Sequence, residues 1–231
     1  DTDYVFGAPD FGFSDVKDSP ANSLAAVQIS ALPLLGSLTL NGTAVTAGQN
    51  VTVADINAGL LSYAPALNAN GLANASFTFQ VRDDGGTGFG GVDLDQTPNT
   101  MTIDVTSVND APAGTDTTVT TNEDTAYTFT AANFGFTDTS DVPANLLMAV
   151  TISSLPASGS LLLNGVAVTL NQSITAADLN AGLLTYAPPL NAHGAGYANF
   201  TFQVQDGGGT ANLGQDIDKS ANTMTVNVTP V

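Results

Sequence analysis

Along this chain, apolar residues alternate with polar ones in short runs, and turn-forming residues separate the runs at regular spacing. The clearest run is Asn199-Phe200-Thr201-Phe202-Gln203-Val204, in which Phe200, Phe202 and Val204 fall on one side of a strand. Met224, Val226 and Val228 mark a last strand with the same period. Further upstream, residues 147–155 predict a strand with Val150 and Ile152 on one face, and residues 125–131 place Tyr127 and Phe129 two apart. Residues 116–121 alternate weakly and predict a first edge strand. Asn122-Glu123-Asp124 predicts a turn, and residues 206–222, rich in Gly and Asp, predict a long loop.

Two local signals stand out between these strands. Ser160-Leu161-Leu162-Leu163-Asn164-Gly165-Val166-Ala167-Val168 reads as a hairpin, because Asn-Gly tolerates the positive φ angles of a two-residue turn. Thr175-Ala176-Ala177-Asp178 reads as a helix start, with Thr175 as cap and Asp178 reaching back to it. Gly182 suits the helix C-cap, so a single helical turn fits before the strand at residues 183–186, which Pro188-Pro189 ends. Short strands with turns at this spacing predict an all-β antiparallel sandwich with one short helical turn.

The pattern occurs twice. A shift of 123 residues carries Asp15-Val16-Lys17-Asp18-Ser19-Pro20-Ala21-Asn22 onto Asp138-Thr139-Ser140-Asp141-Val142-Pro143-Ala144-Asn145. The same shift carries Asn41-Gly42 onto Asn164-Gly165, and Tyr63-Ala64-Pro65 onto Tyr186-Ala187-Pro188. No gap is needed, and roughly six positions in ten are identical, well beyond compositional drift. A period of this length is a whole domain. The expected division is residues 1–108 and 109–231, with the first strand missing from the first copy. An open sheet edge there could take a strand from a partner, and residues 116–121 could complete either copy.

Composition narrows the function. Among 231 residues there are 21 acids against 3 bases, for a formal charge of −18. Nucleic acid and anionic membrane surfaces are disfavoured as partners, since both need basic residues. The charge favours cations, or simple solubility through mutual repulsion. Glu123 is the only glutamate; the other acids are aspartates, the residue of turns, caps and calcium loops. There is no cysteine, so disulfides and thiolate metal sites are excluded, and a bacterial source is mildly favoured over a eukaryotic secreted one. No apolar run reaches the length of a membrane span, and no signal peptide is visible; the first residue does not look like a natural start, as in a piece of a longer protein.

Enzyme chemistry finds no support. His193 is the only histidine, its counterpart is Asn70, and no nucleophile–base–acid set accompanies it. The stretch Gly85-Gly86-Thr87-Gly88-Phe89-Gly90-Gly91 lacks the Lys-Ser/Thr and the helix of a phosphate loop. It also lacks the aspartate of a β-roll calcium repeat, and its counterpart Gly208-Gly209-Thr210-Ala211-Asn212 breaks that pattern. It reads as a hairpin loop, and no cofactor is expected in the core.

The aspartates that recur with the repeat carry the chemistry. Asp55 and Asp178 are explained as helix caps. Strand direction sets where the others lie. The last strand must run toward the following domain, so the strand before it, ending at Asp206, points back to the linker Asn109-Asp110. The loop with Asp138 and Asp141 falls at the same pole. Asp110, Asp138, Asp141, Asp206, Asp216 and Asp218 thus converge on the joint between the copies, with Asn109 beside them and Asp1 a candidate from the far pole of the first copy. Asp15, Asp18, Asp83, Asp93 and Asp95 are the counterparts in the first copy. Carboxylates gathered in this way repel one another without a cation, and calcium takes six to eight such oxygens. A Ca2+ site is therefore expected at this joint; the competing reading is a set of solvated turn aspartates.

Val108-Asn109-Asp110-Ala111-Pro112, Asn122-Glu123-Asp124 and Phe200-Thr201-Phe202-Gln203-Val204-Gln205-Asp206 together resemble the cadherin-like tandem repeats of giant bacterial surface proteins and adhesins. Ile174-Thr175-Ala176-Ala177-Asp178-Leu179 through Leu184-Thr185-Tyr186 is also similar to the repeat of chondroitin sulfate proteoglycans. The resemblance covers nearly the whole chain. It implies two tandem immunoglobulin-like or cadherin-like sandwiches, extracellular on a bacterial cell surface and stiffened by calcium, with Asn109, Asp110 and Asp206 matching linker and loop ligands. The first copy has no counterpart of Glu123, and the linker matches the fuller acidic motif only in part. The implied role is a spacer that extends a binding region from the cell, its partners being neighbouring repeats of the same chain. The alternative is a module that binds polysaccharide or another copy. The scarcity of free aromatic platforms, with Trp absent, disfavours sugar stacking.

Overall fold

A computed structural model describes residues 2–231. The chain forms two units, one ending at Ser107 and the other running Val108–Val231. The first contains β1 (Tyr4–Val5), β2 (Leu24–Ala31), β3 (Ser37–Leu40), β4 (Thr43–Ala44), β5 (Asn50–Thr52), α1 (Val53–Asn57), β6 (Leu61–Ala64), β7 (Gly71–Asp83) and β8 (Asn99–Val105). The second contains β9 (Thr117–Asn122), β10 (Tyr127–Thr128), β11 (Leu147–Ile152), β12 (Ser160–Leu163), β13 (Val166–Ala167), β14 (Ser173–Thr175), α2 (Ala176–Asn180), β15 (Leu184–Ala187), β16 (Gly194–Asp206) and β17 (Asn222–Thr229). Each unit is an all-β sandwich with a short helical turn.

Unit 2 stacks a β10-β15-β12-β13 sheet on a β14-β11-β16-β17-β9 sheet. Unit 1 repeats this as β1-β6-β3-β4 and β5-β2-β7-β8, one strand fewer. Ladders are antiparallel except at the edge of unit 2, where β9 lies parallel to β17 from Met224↔Thr117 to Thr229↔Asn122. The alternation of residues 116–121 could not give that direction, because period two is the same in either orientation.

Sequence patterns explain most elements. Asn164 and Gly165 have φ of 49° and 77°, the geometry that turns β12 back into β13. Thr175 Oγ1 accepts from the Asp178 N–H at 3.1 Å and the Thr175 N–H donates to the Asp178 carboxylate at 3.3 Å, which closes the box that starts α2. The helix C-cap is Ala181, in right-handed geometry, and Gly182 follows it with φ 68°. Strand β11 stops at Ile152, short of the expected 155, since Ser153 and Ser154 both send their N–H to the Thr201 carbonyl and end the ladder. Strand β10 is only two residues long because Thr130 and Asn133 cap a 3-10 turn at Ala131–Phe134.

The inner faces form one apolar core per unit. In unit 2, Phe129, Phe134, Phe200, Phe202, Val226 and Met224 are fully buried. Phe134 meets Phe202 edge-on at 4.9 Å, and Phe129 meets Phe200 at 5.5 Å, the orientation that ring quadrupoles favour. Unit 1 repeats both pairs with Phe11–Phe79 and Phe6–Phe77. Tyr186 is buried too, and its hydroxyl donates to the Ser158 carbonyl at 2.9 Å; burial pushes its phenol up to about 12.

Gly159 sits against that tyrosine with φ 76°, and a methyl group there would strike the Tyr186 ring and the Ala187 carbonyl. Gly159→Ala combines a strained backbone with overpacking, so it is expected to cost unit 2 about 2–4 kcal/mol. Chemical denaturation checks this, with Gly165→Ala, where a methyl group meets open space, as the milder comparison.

Candidate functional site

The linker end of unit 2 is built from four pieces. They are residues 108–116, the loop 135–146, the end of β16 at Asp206, and the loop 207–221. Leu147 at the start of β11 pairs with Asp206 at the end of β16, which brings both loops to one end of the sandwich.

The leading segment is held by both loops. The Asn109 side-chain amide donates to Asp206 Oδ1 at 3.0 Å and to the Gln215 carbonyl at 2.8 Å. The Gln215 N–H returns a bond to the Asn109 carbonyl at 2.8 Å. The Asp110 N–H donates to Asp141 Oδ2 at 3.1 Å, and Ala113 exchanges a pair of backbone bonds with Thr137. The Gly114 N–H donates to Asp218 Oδ2 at 2.8 Å. Asn145 ties the set together: its N–H donates to Asp138 Oδ2, and its side-chain amide donates to Asn109 Oδ1 and Asp141 Oδ2.

All four of these carboxylates, Asp138, Asp141, Asp206 and Asp218, are buried, and Asp206 has no exposed surface. Asp138 Oδ1 and Asp206 Oδ2 are enclosed without any hydrogen-bond partner. An unpartnered buried carboxylate oxygen is costly. Burial raises the pKa of Asp206 first, and the charges of Asp138 and Asp216 add to it. Asp141 is raised likewise by burial, then by the charges of Asp138 and Asp110. Among the described residues the ion pairs are Arg82–Asp93 and His193–Glu123, neither of them at this end.

The structure thus brings Asn109, Asp110, Asp138, Asp141, Asp206 and Asp216 together. Asp218 is nearby but committed: Oδ1 accepts from Ser220, and Oδ2 accepts from Gly114 and, at 2.6 Å, from Asn222. Those bonds join the leading segment to the start of β17. Asp216 accepts from the Gln205 side chain at 2.9 Å. Among the described residues no group of three or more His, Cys, Asp or Glu side chains is arranged to hold a metal ion. The side-chain amides of Asn109 and Asn145 occupy one oxygen each of Asp206 and Asp141. Asp1 lies outside the described residues.

Unit 1 places Asp15, Asp18, Asp83, Asp93 and Asp95 at the equivalent end, where none of them is buried. Asp15 accepts from the Asn22 N–H and Asp95 from the Thr97 N–H, and these bonds lower both carboxyls. Arg82 stands where unit 2 has Gln205, and it pairs with Asp93 at 3.1 Å. The sequence reading passed over two residues that organise the site, Asn145 and Gly208. Gly208 has an ordinary φ, yet a methyl group on it would collide with the Asn109 and Asn145 side chains. A glycine recurring at the repeat offset, Gly85 and Gly208, was the available signal. His193 faces Glu123 at 3.2 Å at another part of the unit.

No protein-family model and no curated protein matches the chain. A crystal structure of human mucin-like protocadherin EC1-2 is similar to it over 94% of this chain and 92% of that chain, at 15% identity and a TM-score of 0.40.

Gly208→Ala is expected to displace Asn109 and to lower unit 2 stability by about 1–3 kcal/mol, read by thermal or urea unfolding. The pH dependence has a defined sign. A carboxyl raised on folding holds its proton more tightly in the native state, so its contribution to stability falls as pH rises from the ordinary carboxylate range through the raised value. Metal-free unit 2 is therefore expected to lose stability over that window, and Asp206→Asn is expected to flatten the profile in melting experiments across pH.

Proposed function

We propose that unit 2 binds calcium at its linker end, and that the chain is a repeat segment of a large extracellular bacterial adhesin. Calcium there fixes the linker to the domain, so that the repeats act as a stiff spacer projecting a binding region from the cell surface. The observation that carries the reading is the pair of buried, unpartnered oxygens on Asp138 and Asp206 at an end where, among the described residues, no ion pair neutralises them.

The donor set fits the metal. Calcium is a hard cation that prefers carboxylates, amide carbonyls and backbone carbonyls, and this end offers Asp110, Asp138, Asp141, Asp206 and Asp216 with the side chains of Asn109 and Asn145. Each asparagine carries an acceptor as well as a donor, so rotation of its amide exchanges a competitor for a ligand. Asp218 is left out of the set because its oxygens already serve Gly114, Ser220 and Asn222. The aspartate-rich composition and the tandem repeat are in keeping with a calcium-binding array. No helix among the described residues is long and apolar enough to cross a membrane.

Calorimetric titration of calcium into chelator-stripped protein is expected to give heat. At a hundredfold excess over the dissociation constant, the metal adds about 2.7 kcal/mol to unit 2. Asp206→Asn and Asp138→Asn are expected to remove the heat while leaving the fold intact by circular dichroism. No heat and no rise in melting temperature at millimolar calcium would sink the proposal. Small-angle scattering with and without calcium reads the spacer role: a distance distribution unchanged by the metal counts against stiffening.

A further inference from the structure

The outer strands of a sheet carry backbone N–H and C=O groups that no neighbour takes up, and a long, uncharged outer strand is a template for another. Unit 2 has four such edges. Three are very short: β10 and β13 have two residues each, and β14 has three. The fourth, β9, has six. Its sequence, Thr117-Thr118-Val119-Thr120-Thr121-Asn122, contains no charge, proline or glycine, and its register with β17 runs without a bulge. In a chain with 21 acids, the one long edge of this unit lacks the charges and irregularities that normally blunt an edge.

Strand β9 is firmly held from within. Val119 and Thr121 are buried, while Thr118 and Thr120 are exposed on the outer face. Thr117 and Thr121 donate their hydroxyls to the Asn133 and Thr125 carbonyls. Among the described residues, the backbone of Thr117–Thr121 pairs with β17 alone. The acids that flank the strand are committed to their own unit. Asp116 accepts from the Thr223 N–H at 2.6 Å, and Glu123 accepts from the Val231 N–H at 3.0 Å and faces His193.

We propose that β9 is a self-association edge, along which β9 of a second copy of this chain pairs antiparallel and joins the two five-stranded sheets into one. A two-fold axis through the sheet at Val119 sets Thr118 opposite Thr120 of the second copy, and Asp116 opposite Asn122 of the second copy. No like charges then face each other across the new ladder, and a Thr–Thr pair forms on each side of the axis. Two arguments favour a second copy over a foreign peptide. With Val119 and Thr121 already in their own core, the edge offers backbone bonds but no pockets to read a peptide's side chains. Strand β9 of the second copy also arrives ordered, whereas a free peptide loses conformational freedom on docking. Both copies are acidic overall, so salt, which screens their repulsion, strengthens the association. A basic partner has the opposite salt dependence. The pairing does not depend on calcium.

The test is sedimentation of the full chain in chelating buffer over a range of protein and salt concentrations. A monomer–dimer equilibrium that tightens with salt is expected. Thr118→Glu combined with Thr120→Glu sets carboxylates opposite each other across the axis and is expected to weaken the dimer by roughly tenfold or more. Thr118→Lys combined with Thr120→Lys does the same with ammonium groups. An equimolar mixture of the two variants is expected to restore pairing as a heterodimer, a result that misfolding could not produce. A strict monomer at millimolar protein, a dimer that salt weakens, a dimer unmoved by the two Glu substitutions, or a mixture that stays monomeric overturns the proposal. Calcium is absent throughout, so these outcomes are independent of the metal site.

Discussion

Everything at the linker end of unit 2 depends on the bond between Asn109 and Asp206. It joins the first residues of the unit to the last residue of β16, across 97 positions of sequence. The amide supplies the donor that a fully buried carboxylate needs, and the backbone of Asn109 and Gln215 closes the same junction from the other side. Once that segment is down, Asp138, Asp141 and Asp206 lose their water, and two of their oxygens are left with no partner. The acidity of the chain is thereby converted from a general property of the surface into a local demand for positive charge.

Unit 1 serves as an internal control. It carries the same loop aspartates, and none of them is buried. Asp15 and Asp95 are lowered by backbone bonds, whereas Asp141 and Asp206 are raised by burial. The covering segment 109–114 of unit 2 is one difference between the two ends. Arg82 adds a second difference, because a guanidinium bonded to Asp93 supplies in unit 1 a cation that Gln205 cannot supply in unit 2. The two copies have similar frames and different electrostatic settings.

Much of this was legible in the amino-acid order. The alternation of Phe200, Phe202 and Val204, the Asn164-Gly165 turn and the Thr175–Asp178 cap are local signals, and local physics decides them. Convergence of the aspartates followed from strand direction, a topological rule that needs few residues. Other features were not legible because they depend on partners distant in sequence. Val119 alternates in the same way whether β9 runs with or against β17. Asp218 resembles the other loop aspartates until Gly114, Ser220 and Asn222 are seen to use its oxygens. Gly208 is needed for a contact with Asn109 that no short window contains.

The parallel pairing of β9 with β17 has a mechanical consequence. These are the first and last strands of unit 2, and they lie side by side over six residue pairs. Tension applied through the two ends of the unit pulls β9 and β17 in opposite directions along their shared axis. The ladder is then loaded in shear, with its hydrogen bonds resisting together, instead of being peeled open one at a time. A domain closed in this way yields late and all at once under force, whereas one whose terminal strand is unpaired has no such clamp.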